Sequence, residues 1–300
     1  MRFAPSTSTR RATGWATGAL AALSSAALGA ALATAAPATA ATASTWAPAD
    51  TAQIHPGTMM YTDGAQCTAN FVYTDAAGDT FVGYAAHCAG TGSSTDTNGC
   101  QTQSLPLGTK VTFSNDGNLA SGGTTVGSGT LAYSSWLTEK QDGEADPNTC
   151  AYNDLALVKV DPADVGKVNP SVPSFGGPVG AKSETLAAGD KVYSYGNSSL
   201  RGGVSQLSPK YGVSIGDDTA DGGWSHPVYT LTPGIPGDSG SGLMDANGNA
   251  IGVLSTVAIA PLAGSNNFGD LGKELAYAQA HSGIAGLSLV PGTEKFAPSF

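Results

Sequence analysis

Three short islands carry side chains that could do chemistry together. Ala85-Ala86-His87-Cys88 offers an imidazole, Asn153-Asp154-Leu155-Ala156-Leu157 a carboxylate, and Pro236-Gly237-Asp238-Ser239-Gly240-Ser241-Gly242 a hydroxyl set between glycines. A serine hydroxyl is a poor nucleophile until an imidazole takes its proton, and a carboxylate that fixes the imidazole tautomer improves that base. The oxyanion formed on an attacked carbonyl needs backbone N–H donors, which a tight glycine-flanked turn exposes. Gly237 removes a side chain where a substrate carbonyl must approach, and the N–H groups of Gly237 and Ser239 can converge on one oxygen. The chain order His, Asp, Ser therefore predicts acyl transfer with His87 as base, Asp154 as its orienting carboxylate and Ser239 as nucleophile. Taken singly, the islands have plainer readings: a strand-end histidine, an acid capping a strand, a Gly/Ser loop on a β surface. Their combination promotes Asp154 over Asp142 and Asp146.

Short strand-like runs with turn punctuation must position these groups. Asn70-Phe71-Val72-Tyr73-Thr74, the turn Asp75-Ala76-Ala77-Gly78-Asp79 and Thr80-Phe81-Val82-Gly83-Tyr84-Ala85 read as a hairpin that delivers His87 to a sheet end. Further strands are expected at 110–114, 124–133 and 155–160, the last headed by Asp154. A Pro/Gly/Ser-rich segment over 161–180 reads as a crossing between domains. Strands then resume at 190–195, 203–207 and 228–231. Ser241-Gly242-Leu243-Met244 and 250–257 form a hairpin about Asp245-Ala246-Asn247-Gly248-Asn249. One helix is expected, from Leu271 to about His281, with Leu271, Leu275 and Ala278 at helical spacing. No repeat of 20–50 residues is visible.

The bulk numbers agree with an all-β chain. The 300 residues include 41 Gly and 17 Pro, with 41% hydrophobic and only 12% charged residues; turns are many and long exposed helices few. A net charge of −10 leaves no basic stripe for phosphates, so nucleic acid is not an expected partner. Arg2, Arg10 and Arg11 precede a stretch without charge until Asp50, rich in Ala, Leu, Gly and Thr. With cleavage candidates at Ala38-Thr39-Ala40 and Ala41-Thr42-Ala43, residues 1–43 read as an export signal. A membrane anchor is the competing reading, disfavoured because Ala, Thr and Ser insert poorly and Pro37 precedes the cleavage sites. Arg10-Arg11 raises twin-arginine export, but Ala12-Thr13-Gly14 lacks bulky apolar residues. In an oxidising compartment the four cysteines, Cys67, Cys88, Cys100 and Cys150, imply two disulfides. No CxxC spacing occurs and the four histidines are scattered, so neither a metal nor a cofactor is expected.

Ala-Ala-His-Cys, Asn-Asp-Leu-Ala-Leu and Gly-Asp-Ser-Gly together closely resemble the chymotrypsin family of serine endopeptidases, in its bacterial secreted branch, over residues 60–285. The resemblance implies an all-β fold of two six-stranded antiparallel β-barrels with a C-terminal helix and the triad between them. The domains would be a signal (1–43), a lead (44–60), a first barrel with His87 and Asp154 (61–165), a connection (166–182), a second barrel and helix with Ser239 (183–290) and a tail (291–300). It implies the base His87, the carboxylate Asp154, the nucleophile Ser239 and the oxyanion donors Gly237 and Ser239. Ser255 would hydrogen-bond Asp154 and begin the substrate-pairing strand. Cys67 would pair with Cys88, which leaves Cys100 and Cys150 as a second pair on parity. Substrates would be proteins or peptides, cleaved by a secreted monomer without a stable membrane anchor.

The departures are informative. Ser241 stands where the family has Gly. No Ile-Val-Gly-Gly follows a basic residue; the nearest echo is Ile54-His55-Pro56-Gly57 after Gln53. No long folding-assistant prosegment fits between the signal and Cys67. The family buries and pairs the acid before the nucleophile, here Asp238, with a freed terminal amine or an internal cation; Arg201 is the candidate. Pro233, six before Ser239, would line the primary pocket without a carboxylate, and Val257 would narrow its mouth. Small uncharged residues before the scissile bond are therefore expected over Phe, Lys or Arg. An α/β-hydrolase needs Gly-x-Ser-x-Gly and a final His, and a subtilisin-like enzyme puts Asp before His; both fail. The remaining rival is a secreted triad-bearing protein with little turnover that acts as a binding module.

Overall fold

The computed structural model describes residues 45–93, 96–257 and 264–299. The expected export signal over 1–43 lies outside the described residues. In chain order the elements are β1 (Met59–Thr62), β2 (Ala65–Thr68), β3 (Val72–Thr74), β4 (Thr80–Ala85), β5 (Lys110–Asn115), β6 (Thr124–Ser134), α1 (Ser135–Asp142), α2 (Pro147–Tyr152) and β7 (Leu155–Val160). There follow β8 (Gly180–Ala181), β9 (Lys191–Tyr195), β10 (Pro209–Ser214), β11 (Ser225–Thr230), β12 (Gly242–Met244), β13 (Asn249–Val257), β14 (Asn266–Asp270), α3 (Leu271–His281) and β15 (Ser288–Leu289).

The molecule is mostly β. Strands β9, β10, β11, β14, β13 and β12 pair in that order, and β12 pairs back onto β9, closing a six-stranded barrel. Its core is Val192, Val228, Leu243, Ile251, Leu254 and Phe268. The other sheet runs β15-β3-β4-β7-β6-β5-β1-β2 and is open. Only one of the two expected six-stranded barrels is thus closed. The cause lies at the edges of the open sheet, whose free groups find other partners. Thr68 N at the end of β2 donates to Ser239 O at 2.8 Å, and the edge of β3 is covered by β15. The edge strand β15 is only two residues long, one of the ways in which an exposed sheet edge is blunted. β15 lies inside the segment expected to belong to the second barrel, yet it pairs with Thr74 and Tyr73 of the open sheet.

Strands β4 and β7 lead to His87 and away from Asp154, and both are buried along most of their length. All six residues of β4 are buried, as are five of the six in β7. The expected strand over 203–207 is instead a short 3-10 turn, Ser205–Leu207, and the ladder resumes at β10. Gly202 and Gly203, with φ of +65° and +84°, bend the chain before it can extend. Helices α1 and α2 were not expected. Their signals are caps rather than periodicity: Asp146 accepts the N–H groups of Asn148 and Thr149 ahead of Pro147, and left-handed Gly143 ends α1. Among the described residues no helix is long and apolar enough to cross a membrane.

Candidate active site

The antiparallel register builds the first half of the site. Ala85, the last residue of β4, pairs with Leu155, the first of β7. The chain just after one strand therefore faces the chain just before the other, and His87 meets Asp154. His87 Nδ1 lies 2.7 Å from Asp154 Oδ2, and the His87 N–H donates to Asp154 Oδ1 at 2.8 Å. The backbone locks the pair: Ala86 N donates to Asp154 O at 2.8 Å. Asp154 is 2% exposed, and Ser255 Oγ on β13 donates to its Oδ2 at 2.7 Å. Burial works to lower the His87 pKa, but the charge and hydrogen bond of Asp154 prevail and hold it above its ordinary value. Trp136 of α1 flanks the ring, centroid to centroid 6.3 Å.

Ser239 is held beside β2 and the end of β4 by a different route. Its carbonyl oxygen takes the N–H of Thr68, whose neighbour Cys67 is bonded to Cys88, the residue after His87. The flanking Gly240 has φ +86°, and a Cβ there would lie 2.6 Å from Ala85 N and 2.8 Å from Thr68 O. Only a glycine lets the serine turn press so closely on the end of β4. Gly237 is also left-handed, φ +97°, and its carbonyl accepts from Gln66 Nε2 (2.9 Å) and Thr68 Oγ1 (2.7 Å). That carbonyl oxygen is thereby held by two side chains of β2. Among the described residues no hydrogen bond uses the N–H of Gly237 or Ser239, so two donors stand free beside a half-buried hydroxyl. The second disulfide joins Cys100 to Cys150 and ties the loop after His87 to α2, which leads into Asp154.

Asp238 is fully buried and paired with two cations. Arg201 Nη2 lies 2.5 Å and Lys210 Nζ 3.1 Å from its Oδ2. Ile235 N donates to the same oxygen at 3.0 Å. Nothing in the sequence marked Lys210, which resembles any surface lysine until β10 turns it inward to 1% exposure. Burial, with the Arg201 charge adding to it, depresses its pKa against the opposing pull of Asp238. Ile54 has no part in this pair: its N–H donates to Lys167 O at 3.1 Å and its side chain is buried.

The Pro233 carbonyl accepts from Arg201 Nη2 at 2.8 Å. Val257 pairs through its backbone with Asn266; its side chain lies outside the described residues. A cavity of about 790 Å³, lined in part by Trp46, His55, Asn169, Ser171 and Glu294, includes none of these residues. The one grouping of metal-ligating atoms among the described residues is Cys67, His87 and Cys88. Both sulfurs are in the disulfide and offer no thiolate, so the residues present do not make a metal site.

Behind Asp154 lies a set of buried ionisable groups that sequence reasoning missed. Glu274 of α3 accepts the Asp154 N–H at 2.9 Å and is completely buried. Burial, reinforced by Asp154, Asp270 and Glu139, keeps its pKa well above the carboxylate range. Glu139 of α1 is raised to about 9, by burial first and Asp154 second. On β11, His226 is buried between Asp217 (Nδ1, 2.9 Å) and Asp270 (Nε2, 3.2 Å). Burial would lower its pKa, but the two carboxylates raise it to about 9.

No family model and no curated protein matches this sequence. Solved structures do. A protease A of Thermobifida fusca is 20% identical, covers 80% of this chain and 99% of its own, with a TM-score of 0.46. A Nocardiopsis protease is 18% identical over 79% of this chain and 98% of its own, TM-score 0.44. A Glu endopeptidase is 17% identical over 75% of this chain and 91% of its own, TM-score 0.48.

Proposed function

We propose that this chain is a secreted serine endopeptidase that cleaves peptide bonds through an acyl-enzyme. Ser239 Oγ attacks the scissile carbonyl while His87 Nε2 accepts its proton. The imidazolium so formed is stabilised through Nδ1–H by Asp154, itself held by Ser255. The Gly237 and Ser239 N–H groups receive the oxyanion. His87 then protonates the leaving amine, and water, activated by the same base, releases the acyl group. The observation that carries this reading is the 2.7 Å contact between His87 Nδ1 and the buried Asp154, beside a serine turn with two unused N–H donors. An imidazole with one nitrogen fixed on a carboxylate presents the other to a nucleophile.

Secretion rests on residues 1–43 and on the two disulfides, which persist in oxidising compartments. For specificity, Pro233 offers no carboxylate to a basic side chain, and small uncharged residues before the scissile bond fit best.

Labelling with a fluorophosphonate, followed by mapping of the adduct, tests the assignment. The adduct is expected on Ser239, and Ser239→Ala is expected to take no label and to lose peptide hydrolysis by roughly 10³-fold or more. A folded wild-type protein that takes no label would mean a binding module instead.

A further inference from the structure

The residue before β7 poses a backbone problem that one buried side chain solves. Pairing of β7 with β4 begins at Leu155, and α2 ends at Tyr152, so the Asp154 N–H belongs to neither element. A buried N–H without a partner is costly. Glu274 Oε1 receives it at 2.9 Å from the first turns of α3, whose start is fixed by Asp270 capping Lys273 N at 2.8 Å. The space for that oxygen is made by Gly269 on β14. A Cβ at Gly269 would stand 2.3 Å from Glu274 Oε1 and 2.7 Å from Tyr152 O. Three elements thus converge on one contact whose only evident result is to hold Asp154. With Ala86 N on its carbonyl and Glu274 on its N–H, the Asp154 backbone is pinned on both sides of the side chain that meets His87.

We propose that Glu274 is a positioning residue of this site, whose Oε1 fixes the peptide N–H of Asp154 and so aims the Asp154 carboxylate at His87. This rests on the peptidase reading above. The role requires an accepting oxygen and not a charge. Glu274 faces Asp154, Asp270 and Glu139 together with the buried Tyr73 and Tyr133, and no cation among them would offset an added negative charge. Burial and these carboxylates push its pKa well above the usual carboxylate range, which favours the uncharged form, and Oε2 has no partner among the described residues. A carboxamide keeps the acceptor and the shape; a thioether keeps the volume and loses the acceptor.

The experiment compares Glu274→Gln and Glu274→Met in the full chain by kcat, KM and the downfield proton NMR resonance of His87 Nδ1–H. Glu274→Gln is expected to keep most of the turnover, the resonance and the acid limb of the kcat profile. Glu274→Met is expected to lose about 10- to 100-fold in kcat with little change in KM, the cost of a misaimed group. Its resonance is expected to broaden or shift, and its acid limb to move down. Wild-type kcat and resonance in the Met variant overturn the proposal. So does a Gln variant as impaired as Met, since the acceptor oxygen would then not be what matters. If the Met variant does not fold, the Gln variant decides alone: loss of its resonance overturns the proposal, retention supports it. The resonance is read without turnover, so an inert wild type that keeps its His87 signal would refute the peptidase reading and leave the role of Glu274 standing.

Discussion

Lys210 Nζ stands 3.1 Å from Asp238, on the carboxylate oxygen that Arg201 already holds. A fully buried acid next to Ser239 is tolerable only because it is paired, and the pairing holds the turn that carries the Gly237 and Ser239 N–H groups. Removing one partner of a buried pair typically costs roughly 3–5 kcal/mol. Arg201→Ala is expected to lose most activity and to lower Tm, because Arg201 also ties down Pro233 O at 2.8 Å. Lys210→Met is expected to be milder, since it leaves the shorter contact intact and removes a cation whose burial already weakens its charged form. Activity assays and melting curves on both variants check this; full activity of Arg201→Ala would show that Asp238 is held otherwise.

The pH profile should carry the signature of His87. Its proton is held above the ordinary value of 6.5 because Asp154 outweighs burial. A protonated imidazole cannot accept the Ser239 proton, so kcat/KM should fall as pH drops, with a midpoint above 6.5. Ser255→Ala removes a donor from Asp154 Oδ2 and leaves that oxygen more basic toward His87. Its acid limb is expected to move up in pH. A limb that is flat down to pH 5 would sink the assignment of His87 as base.

The sequence exposed what is local and hid what is assembled. His87, Asp154 and Ser239 stand in short islands whose neighbours define their strand ends, whereas the pairing of Ala85 with Leu155 that brings the first two together is visible only in the fold. Arg201 was the candidate partner of Asp238 because the resembled family buries and pairs that acid, and its contact is 2.5 Å long. Lys210, Glu139, Glu274 and His226 had no such signal. Each becomes special only when a distant element covers it, 120 residues away for Asp154 and Glu274. The unclosed sheet was hidden for the same reason, because β15 and the Ser239 turn occupy edges that strand patterns alone leave free. Helix α2 is the opposite case: Asp146-Pro147 is a readable start, passed over for want of an apolar period in six residues.

Stability should decline toward alkaline pH, for two reasons of the same sign. His226 has its folded pKa raised from 6.5 to about 9 by Asp217 and Asp270, against burial. Its contribution is complete below pH 6.5 and is lost as pH rises through about 9. Glu139, raised from 4.5 to about 9, keeps its proton in the fold when the unfolded chain has released it. It therefore also lowers stability as pH climbs from 4.5 to about 9. Each group acts with a limiting slope of about 1.4 kcal/mol per pH unit within its window. His226→Gln should destabilise strongly at pH 6 and much less at pH 9.5; Glu139→Gln should flatten the decline. Melting curves across that range test both, and a His226→Gln deficit independent of pH would refute the charged triad.

The last expectation concerns the residue before the scissile bond. Two cations lie behind the turn that ends at Ser239: Arg201 Nη2 donates to Pro233 O at 2.8 Å and Lys210 Nζ to Thr232 O at 3.2 Å. Pro233 itself is apolar and presents no acid. A Lys or Arg side chain entering over Pro233 would meet repulsion from both cations and find no counter-charge, which is a double penalty. Asp238 cannot relieve it, because its carboxylate is buried and already engaged by Arg201, Lys210 and Ile235 N. Uncharged residues remain, and the difference between Ala, Val, Leu and Phe rests on shape alone, worth only ~1–3 kcal/mol for each methylene that fits or fails. Profiling the purified protein on a peptide library varied at that position should give cleavage after Ala, Val or Leu and rejection of Lys and Arg. Pro233→Asp should not create a trypsin-like preference, since Arg201 and Lys210 would neutralise the new carboxylate from below. Dominant cleavage after Arg, Phe or Glu by the unmodified protein would show this reading of the pocket to be wrong.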